Sequence, residues 1–150
     1  MKIAWFTPFH KSSAIGKFSK YATLALSEYM NTQQVEPTQQ VGRVDILTFE
    51  KDELHSTDLN VVYYDKDNIH SLLNDYDLCI YNMGDNIRFH APIFDVLLLR
   101  RGIVIAHDLC IHNFVRGYYT IYDTSDEFKY YDILKKLYGI LFLFVLYIYL

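Results

Sequence analysis

Hydrophobic residues in this chain form short continuous runs, separated by longer segments with helical spacing. Each run is four to seven residues long, which is the usual length of a β-strand. The five runs predicted to be strands are Lys2 to Thr7, Arg43 to Phe49, Leu59 to Tyr64, Leu78 to Tyr81 and Ile103 to Ala106. Continuous apolar composition is typical of parallel strands covered on both faces, and we expect this burial of the last two runs in particular.

Two of the intervening segments are predicted helices with recognisable starts. The first has apolar residues at helical spacing from Gly16 onward and follows Ser12 and Ser13, both good N-cap residues. The second is short, from Asn68 to Tyr76, with Asn68 as its cap.

A third helix is predicted between the last two strands. Pro92 suits its first turn, where a missing N–H is tolerated. Arg100 and Arg101 would lie in its last turn, and Gly102 would provide a left-handed stop. Strands that alternate with helices in this way predict an α/β protein with a doubly wound, mostly parallel sheet.

Polar side chains are concentrated directly after two of the predicted strands. The first group is Asn82, Gly84, Asp85, Asn86 and His90, and the second is His107, Asp108 and His112. In an open α/β sheet, ligands bind at the carboxyl ends of the strands, so we expect both groups to border one site. Gly84 would permit a close backbone approach or a positive φ in its turn.

Composition narrows the class of protein. The chain has 150 residues, enough for one domain, with a formal net charge of −4 and a pI near 5.8. These values disfavour nucleic acid as a partner, since proteins that neutralise phosphates carry a basic excess. Cys79 falls inside a predicted strand and Cys110 follows another, so no disulfide framework is indicated. We expect a cytoplasmic protein.

The end of the chain is unusually apolar. Tyr138 to Leu150 contains thirteen residues without a charge; as a helix it would be about 20 Å long, short of the roughly 30 Å membrane core. We expect an α/β domain over residues 1–132 and an apolar tail over residues 133–150, truncated or covered by a partner. The alternatives are a buried element that completes the sheet and a membrane contact, which would make the protein membrane-associated.

Asn31 to Gly42 is predicted to be a polar surface insertion without function.

The histidine and carboxylate residues permit two kinds of chemistry. His107 next to Asp108 is suited to hydrogen bonding with a polar ligand near neutral pH. His90, His107, Asp108, Cys110 and His112 include acceptable zinc ligands, but H-D-x-C-x-H matches no recognised zinc spacing. We therefore expect no metal.

The start of the first helix is a candidate anion site. Its free N–H groups and dipole, with Lys17 and Lys20 nearby, would attract a phosphate. A single glycine, Gly16, is a weaker signal than the glycine-rich phosphate-binding motifs, so an ordinary strand-to-helix turn is the alternative.

Taken in order, several segments resemble the N-terminal Rossmann-like half of GT-B glycosyltransferases, especially the family 4 type. They are KIAWFTPF, the SSAIG turn with the helix FSKYATLAL, YNMGDNIRFHAPIF and RGIVIAHDLCIHNF. The resemblance covers most of residues 1 to about 116.

The resemblance implies transfer of a sugar from a nucleotide-sugar donor to an acceptor hydroxyl, without an obligatory metal or other cofactor. It assigns His107 and Asp108 to catalysis, and Ser13 and Gly16 to the donor diphosphate. It assigns a set of residues to the acceptor, a glycan or another hydroxyl compound: His10, Gly84, Asn86, His90 and His112.

Two departures from this family affect the prediction. The glycine loop has a single Gly16 where paired glycines are common, and the donor-binding C-terminal domain is missing. We therefore expect a chain that is inactive or nearly so alone, with a second chain as a potential partner. The alternatives are a non-catalytic α/β module that binds a nucleotide or small anion, and a metal-dependent hydrolase built on the histidines.

Overall fold

The computed structural model describes residues 1–32, 42–124 and 128–138. The strands are β1 (Lys2–Phe6), β2 (Arg43–Thr48), β3 (Val61–Tyr63), β4 (Leu78–Met83) and β5 (Ile103–Ala106). The helices are α1 (Ala14–Thr32), α2 (Ile69–Leu73), α3 (Ile87–Leu99), α4 (His112–Gly117) and α5 (Lys129–Tyr138). A π-helical turn (Tyr118–Tyr122) follows α4 directly.

The five strands form one parallel sheet in the order β3-β2-β1-β4-β5. The chain therefore builds outward from β1 to β3 and then returns to the other side of β1. Trp5 in the central strand pairs with Ile46 of β2 and Ile80 of β4. The predicted α/β class, with helices on both faces of a parallel sheet, is confirmed.

Alternating residues of β1 enter two separate cores, as the two-residue period of a strand requires. Ala4 and Phe6 face the core that contains residues of α2 to α5, while Ile3 and Trp5 face α1. Phe6 stacks on Tyr81 of β4, with 5.0 Å between the ring centroids. Helices therefore cover the sheet on both sides, as the continuous apolar runs predict.

The last two apolar runs of the sequence are predicted to be strands buried on both faces. This prediction is correct for β4 and wrong for β5. Cys79 to Met83 are all buried in β4. In β5, Ile103 is 52% exposed and Val104 is 46% exposed. The reason is position: β5 pairs with β4 alone and forms an edge of the sheet among the described residues.

The third helix differs from its prediction at both ends. It begins at Ile87, so Pro92 lies in its interior rather than in its first turn. It ends at Leu99, which places Arg100 at the C-cap and Arg101 beyond the helix. Gly102 has no left-handed φ; it is required because a Cβ there would collide with the Cys79 carbonyl and the Tyr81 ring.

Two further predictions can be placed on the chain. Asn68 precedes α2, but its side chain does not cap that helix; Asn68 Oδ1 instead accepts a hydrogen bond from Asp65 N, 2.9 Å away. Helix α5 crosses the predicted domain boundary at residue 132, and Leu134 is buried in the core.

Parts of the predicted insertion and tail, residues 33–41 and 139–150, lie outside the described residues. Within the three described ranges, no helix combines the length and apolar character needed to cross a membrane.

Candidate functional site

A cleft of about 350 Å³ opens at the carboxyl ends of β1 and β4, where the order of the sheet reverses. This is the position at which open α/β sheets bind ligands. Its walls come from the loop after β1, the start of α1, the turn and first part of α3, and the loop after β5. The residues are Pro8, His10, Ser12, Ser13, Ala14, Ile15, Asp85, Asn86, Phe89, His90 and Asp108.

Asn82 holds two histidines at the edge of this cleft. Its side chain is fully buried at the end of β4, and Nδ2 donates to the Phe6 carbonyl across 3.0 Å. Its Oδ1 is 3.0 Å from His107 Nε2, and its backbone carbonyl is 3.1 Å from His90 Nδ1. The two histidines therefore come from different elements but share one buried partner.

These contacts assign the protonated nitrogen of each ring. Asn82 Oδ1 and the Asn82 carbonyl oxygen only accept hydrogen bonds, so His107 donates from Nε2–H and His90 donates from Nδ1–H. A lone pair is left on His107 Nδ1 and on His90 Nε2 in the neutral rings. Burial lowers the pKa of both histidines, and the charge of Asp108 only partly opposes this. Both rings are therefore neutral at pH 7.

Gly84 lets His90 and Asp108, which both line the cleft, approach its backbone closely. A Cβ at Gly84 would lie 2.8 Å from His90 Nε2 and 3.0 Å from Asp108 Oδ2. Of the two predicted roles, the structure shows the close approach, since Gly84 has no positive φ. Asp108 Oδ2 also accepts a hydrogen bond from Asp85 N across 2.7 Å, which ties the loop after β5 to the turn after β4.

Asp85 and Asn86 organise the turn as well as bordering the cleft. Asn86 caps α3 by accepting a hydrogen bond from Arg88 N at 3.0 Å. The Asp85 carboxylate accepts from Phe114 N at 2.9 Å and from Asn113 Nδ2 at 2.5 Å. Burial alone would raise the pKa of Asp85, but these hydrogen bonds outweigh it and hold the pKa below its usual value.

The loop after β1 already binds an anion of the protein itself, the carboxylate of Glu50, which follows β2. Glu50 Oε2 accepts hydrogen bonds from Phe9 N at 2.5 Å and His10 N at 2.8 Å. These N–H groups belong to the loop that would approach a phosphate bound at the carboxyl ends of β1 and β4, where the order of the sheet reverses. An internal carboxylate therefore satisfies them.

His10 also borders the cleft through a small polar network. Its Nδ1 is 2.6 Å from Ser12 Oγ, and its Nε2 is 3.2 Å from Glu53 Oε2. Lys11 forms a 3.0 Å ion pair with Glu53. Hydrogen bonds from Lys11 and His10 lower the pKa of Glu53. The His10 ring is therefore oriented by neighbours on both sides.

The two residues assigned to the donor diphosphate have different surroundings. Ser13 caps α1, as its sequence predicts, by accepting a hydrogen bond from Gly16 N at 3.0 Å, and it lines the cleft. Gly16 is buried behind it, where a Cβ would lie 2.7 Å from the Pro8 carbonyl oxygen. Gly16 therefore permits close packing of α1 on the loop after β1 and does not line the cleft.

His107 and His112 also differ in position. His107 is bonded to Asn82 and packs edge-on against Phe18, with 5.0 Å between ring centroids, and it is not among the residues that line the cleft. His112 lies at the start of α4, where Nε2 is 3.0 Å from the Tyr130 hydroxyl. It contacts α5 and is absent from the cleft wall.

The charge of the cleft favours hydroxyl groups over polyphosphates. Among its described lining residues are two carboxylates, Asp85 and Asp108, and no lysine or arginine. Neutral imidazoles and carboxylates accept hydrogen bonds from hydroxyls, whereas a diphosphate needs positive charge or free N–H donors. In the described ranges, no group of three or more His, Cys, Asp or Glu residues is arranged to hold a metal ion.

Three residues that organise the site are not among the residues predicted for catalysis or ligand binding: Asn82, Asp85 and Glu50. Asn82 and Asp85 belong to the polar group recognised after β4, but their partners are distant in sequence. Asn82 is the clearest available signal, because an amide at the end of a buried apolar run requires hydrogen-bond partners. Nothing near Glu50 in the sequence indicates its contact with the loop after β1.

The chain was compared with family models, with curated proteins and with solved structures, and none of the three comparisons gave a match.

Proposed function

We propose that the chain is the acceptor-side half of a glycosyltransferase, in which the cleft binds the hydroxyl group that receives a sugar from a nucleotide-sugar donor. The observation that carries this proposal is the arrangement of His90 and His107 on Asn82, beside Asp108. It places neutral hydrogen-bond acceptors at the carboxyl ends of two neighbouring parallel strands. The order of sequence motifs, similar to that of GT-B enzymes, supports the same function.

The chemistry of the cleft fits an alcohol substrate. His90, with a lone pair on Nε2, and the Asp108 carboxylate both line the cleft, so a bound hydroxyl can donate to either group. The neutral imidazole of His107, which keeps a lone pair on Nδ1, is suited to accept a proton from a hydroxyl that attacks an electrophile. We assign acceptor binding to His10, Asn86 and His90, and assign catalysis to His107 and Asp108.

The donor diphosphate must obtain its charge stabilisation elsewhere. A departing diphosphate needs cations or aligned N–H donors, and the described wall of the cleft has no lysine or arginine. The start of α1 with Ser13 is the proposed point of contact for the phosphates, while the packing of Gly16 gives that residue less support. We propose that a second domain or a second chain provides the basic residues and that this chain alone does not turn over.

Binding of the acceptor tests the first part of the proposal. Saturation-transfer NMR with a panel of methyl glycosides is expected to show binding to the chain. In His90→Asn, the side-chain N–H of asparagine can replace the Nδ1–H of histidine, but the Nε2 lone pair is lost. This variant is expected to weaken binding about tenfold. His70→Asn, at an exposed position on α2, is the matched control and should bind normally. Binding of nucleotides but of no glycoside would support the anion-binding module instead.

Turnover tests the second part. With a nucleotide-sugar donor and a glycoside that binds, we expect transfer only after a polypeptide with the donor-binding domain is added. Efficient transfer by residues 1–150 alone would contradict the proposed division of roles. Stoichiometric zinc that survives dialysis would favour the metal-dependent hydrolase.

A further inference from the structure

A second and larger cavity lies apart from the acceptor cleft. It has a volume of about 760 Å³ and shares no lining residue with the cleft. It is bordered by the end of β3, by α2, by α3 and by the π-helical turn. Most of its wall is apolar, with a few polar groups, which is the usual character of a small-molecule site.

Tyr64, on the wall of this cavity, has a hydroxyl without a partner. The residue is 3% exposed, and its hydroxyl oxygen makes no hydrogen bond within the described part of the chain. Its ring packs edge-on against Phe6 at 5.3 Å and Phe49 at 6.4 Å. A buried hydroxyl without a hydrogen-bond partner lowers the stability of the folded protein by about 1–3 kcal/mol. The presence of such a hydroxyl on Tyr64 therefore calls for a physical explanation.

Asp95 is a carboxylate that lines the same cavity as Tyr64. Asp95 of α3 accepts hydrogen bonds from the Tyr118 hydroxyl at 2.5 Å and the Tyr122 hydroxyl at 2.9 Å. The π-helical turn makes this possible, because it stacks Tyr118 on Tyr122 with 5.4 Å between ring centroids. Burial and then the charge of Asp95 raise the pKa of Tyr64, which agrees with the position of both residues on the wall of one cavity.

The surroundings favour a positive charge. The wall contains the carboxylates of Asp65 and Asp95, together with one lysine, Lys66, and one histidine, His70. It also contains aromatic rings, namely Phe49, Tyr63, Tyr64, Tyr118 and Tyr122. Aromatic faces and carboxylates together attract organic cations.

We propose that this cavity binds a small aromatic amine, whose ammonium group pairs with Asp95 and donates a hydrogen bond to the Tyr64 hydroxyl. The aromatic part of the ligand packs on the apolar wall formed by Pro92, Val96 and Leu99. The site is separate from the acceptor cleft and does not depend on the function proposed for that cleft.

Three ligands of similar shape test the charge preference: 2-phenylethylamine, 2-phenylethanol and 3-phenylpropanoate. Titrations of the full chain, followed by NMR, are expected to show saturable binding of the amine at least about tenfold tighter than of the alcohol, with no binding of the acid. Equal binding of amine and alcohol, stronger binding of the acid, or no binding of the amine would overturn the proposal.

Substitutions test the site. Tyr64→Phe removes only the unpartnered hydroxyl, so it should fold with equal or higher stability while binding of the amine weakens about tenfold. Asp95→Asn should abolish the preference for the amine over the alcohol. Tyr21→Phe, at an exposed position on α1, is the control and should bind like the parent chain. Unchanged amine binding in both Tyr64→Phe and Asp95→Asn would exclude this site.

Discussion

Asn82 controls the chemistry of two histidines because each of its polar groups has a defined partner. The side-chain amide nitrogen donates to the Phe6 carbonyl. The imidazoles therefore bond to the two oxygens of Asn82, Oδ1 and the backbone carbonyl oxygen. His90 and His107 consequently have opposite tautomers, with a lone pair on a different nitrogen in each ring. One buried amide thus fixes the tautomers of two histidines, of which His90 lines the cleft.

Protonation of His90 is expected to make stability depend on pH. Burial lowers its pKa in the folded protein below the value of about 6.5 in the unfolded chain. The unfolded state therefore binds more protons below about pH 6.5, and the free energy of unfolding falls as the pH drops through this region. His90→Asn should reduce that fall, as measured by urea unfolding between about pH 7.5 and about pH 5.5.

The control for this prediction is His70→Asn. His70 is exposed on α2, so its removal should leave the pH dependence as it is in the parent chain. The pKa of His107 is lowered as well, and it should account for the slope that remains in His90→Asn. Identical slopes in the parent chain and His90→Asn would contradict a neutral, buried His90.

The sequence predicts which residues gather at the cleft better than it predicts where their side chains point. Asn86, His90 and Asp108 all follow parallel strands, so the direction of the strands alone places them on one edge. His112 also follows a strand, but α4 carries it to Tyr130. The direction of α4 depends on contacts between loops, which spacing along the chain does not reveal.

At the scale of elements, the sequence predicts the five strands and the helices α1, α2 and α3, but it predicts neither α4 and α5 nor the order of the strands in the sheet. The apolar runs of β4 and β5 are alike, yet only β4 has a strand on both sides. Strand order depends on pairing between distant segments, and an apolar run alone does not encode it. The predicted start of α3 is too late for a different reason. Asn86 caps the helix well before Pro92, and the proline is tolerated in the helix interior.

Asp85 is expected to stabilise α4 from outside that helix. Its carboxylate binds Phe114 N and Asn113 Nδ2, so Asp85→Ala leaves an N–H at the start of α4 without its acceptor. Loss of such a cap costs about 1 kcal/mol, which corresponds to amide exchange about fivefold faster in α4 and the π-helical turn. Hydrogen exchange measured by NMR should show this change there and leave α1 unaffected.

Asp75→Ala is the matched control, because Asp75 is an exposed aspartate between α2 and β4. Its amide exchange in α4 should equal that of the parent chain. Faster exchange throughout the protein in Asp85→Ala would instead indicate global destabilisation and would count against a local anchoring role.

At the scale of the whole molecule, the segment between α3 and β5 joins elements from both halves of the sheet. Arg100 donates from its guanidinium to the carbonyls of Leu73 and, at 2.7 Å, Tyr76, which lie at and after the end of α2. The Arg100 carbonyl accepts from the Tyr81 hydroxyl at 2.6 Å. The sequence assigns this arginine to the last turn of α3, whereas its side chain serves α2, the helix that follows β3.

Replacing Arg100 should therefore destabilise the domain, whereas replacing its neighbour Arg101 should not. Arg100→Ala leaves the carbonyls of Leu73 and Tyr76 without their charged donor, for an expected loss of about 2 kcal/mol in the free energy of unfolding. Arg101 is exposed, so Arg101→Ala should change this free energy by less than about 0.5 kcal/mol. Urea unfolding of both variants compares one arginine with the next in the chain, and equal losses would show that the guanidinium of Arg100 does not hold α2 to the other half of the sheet.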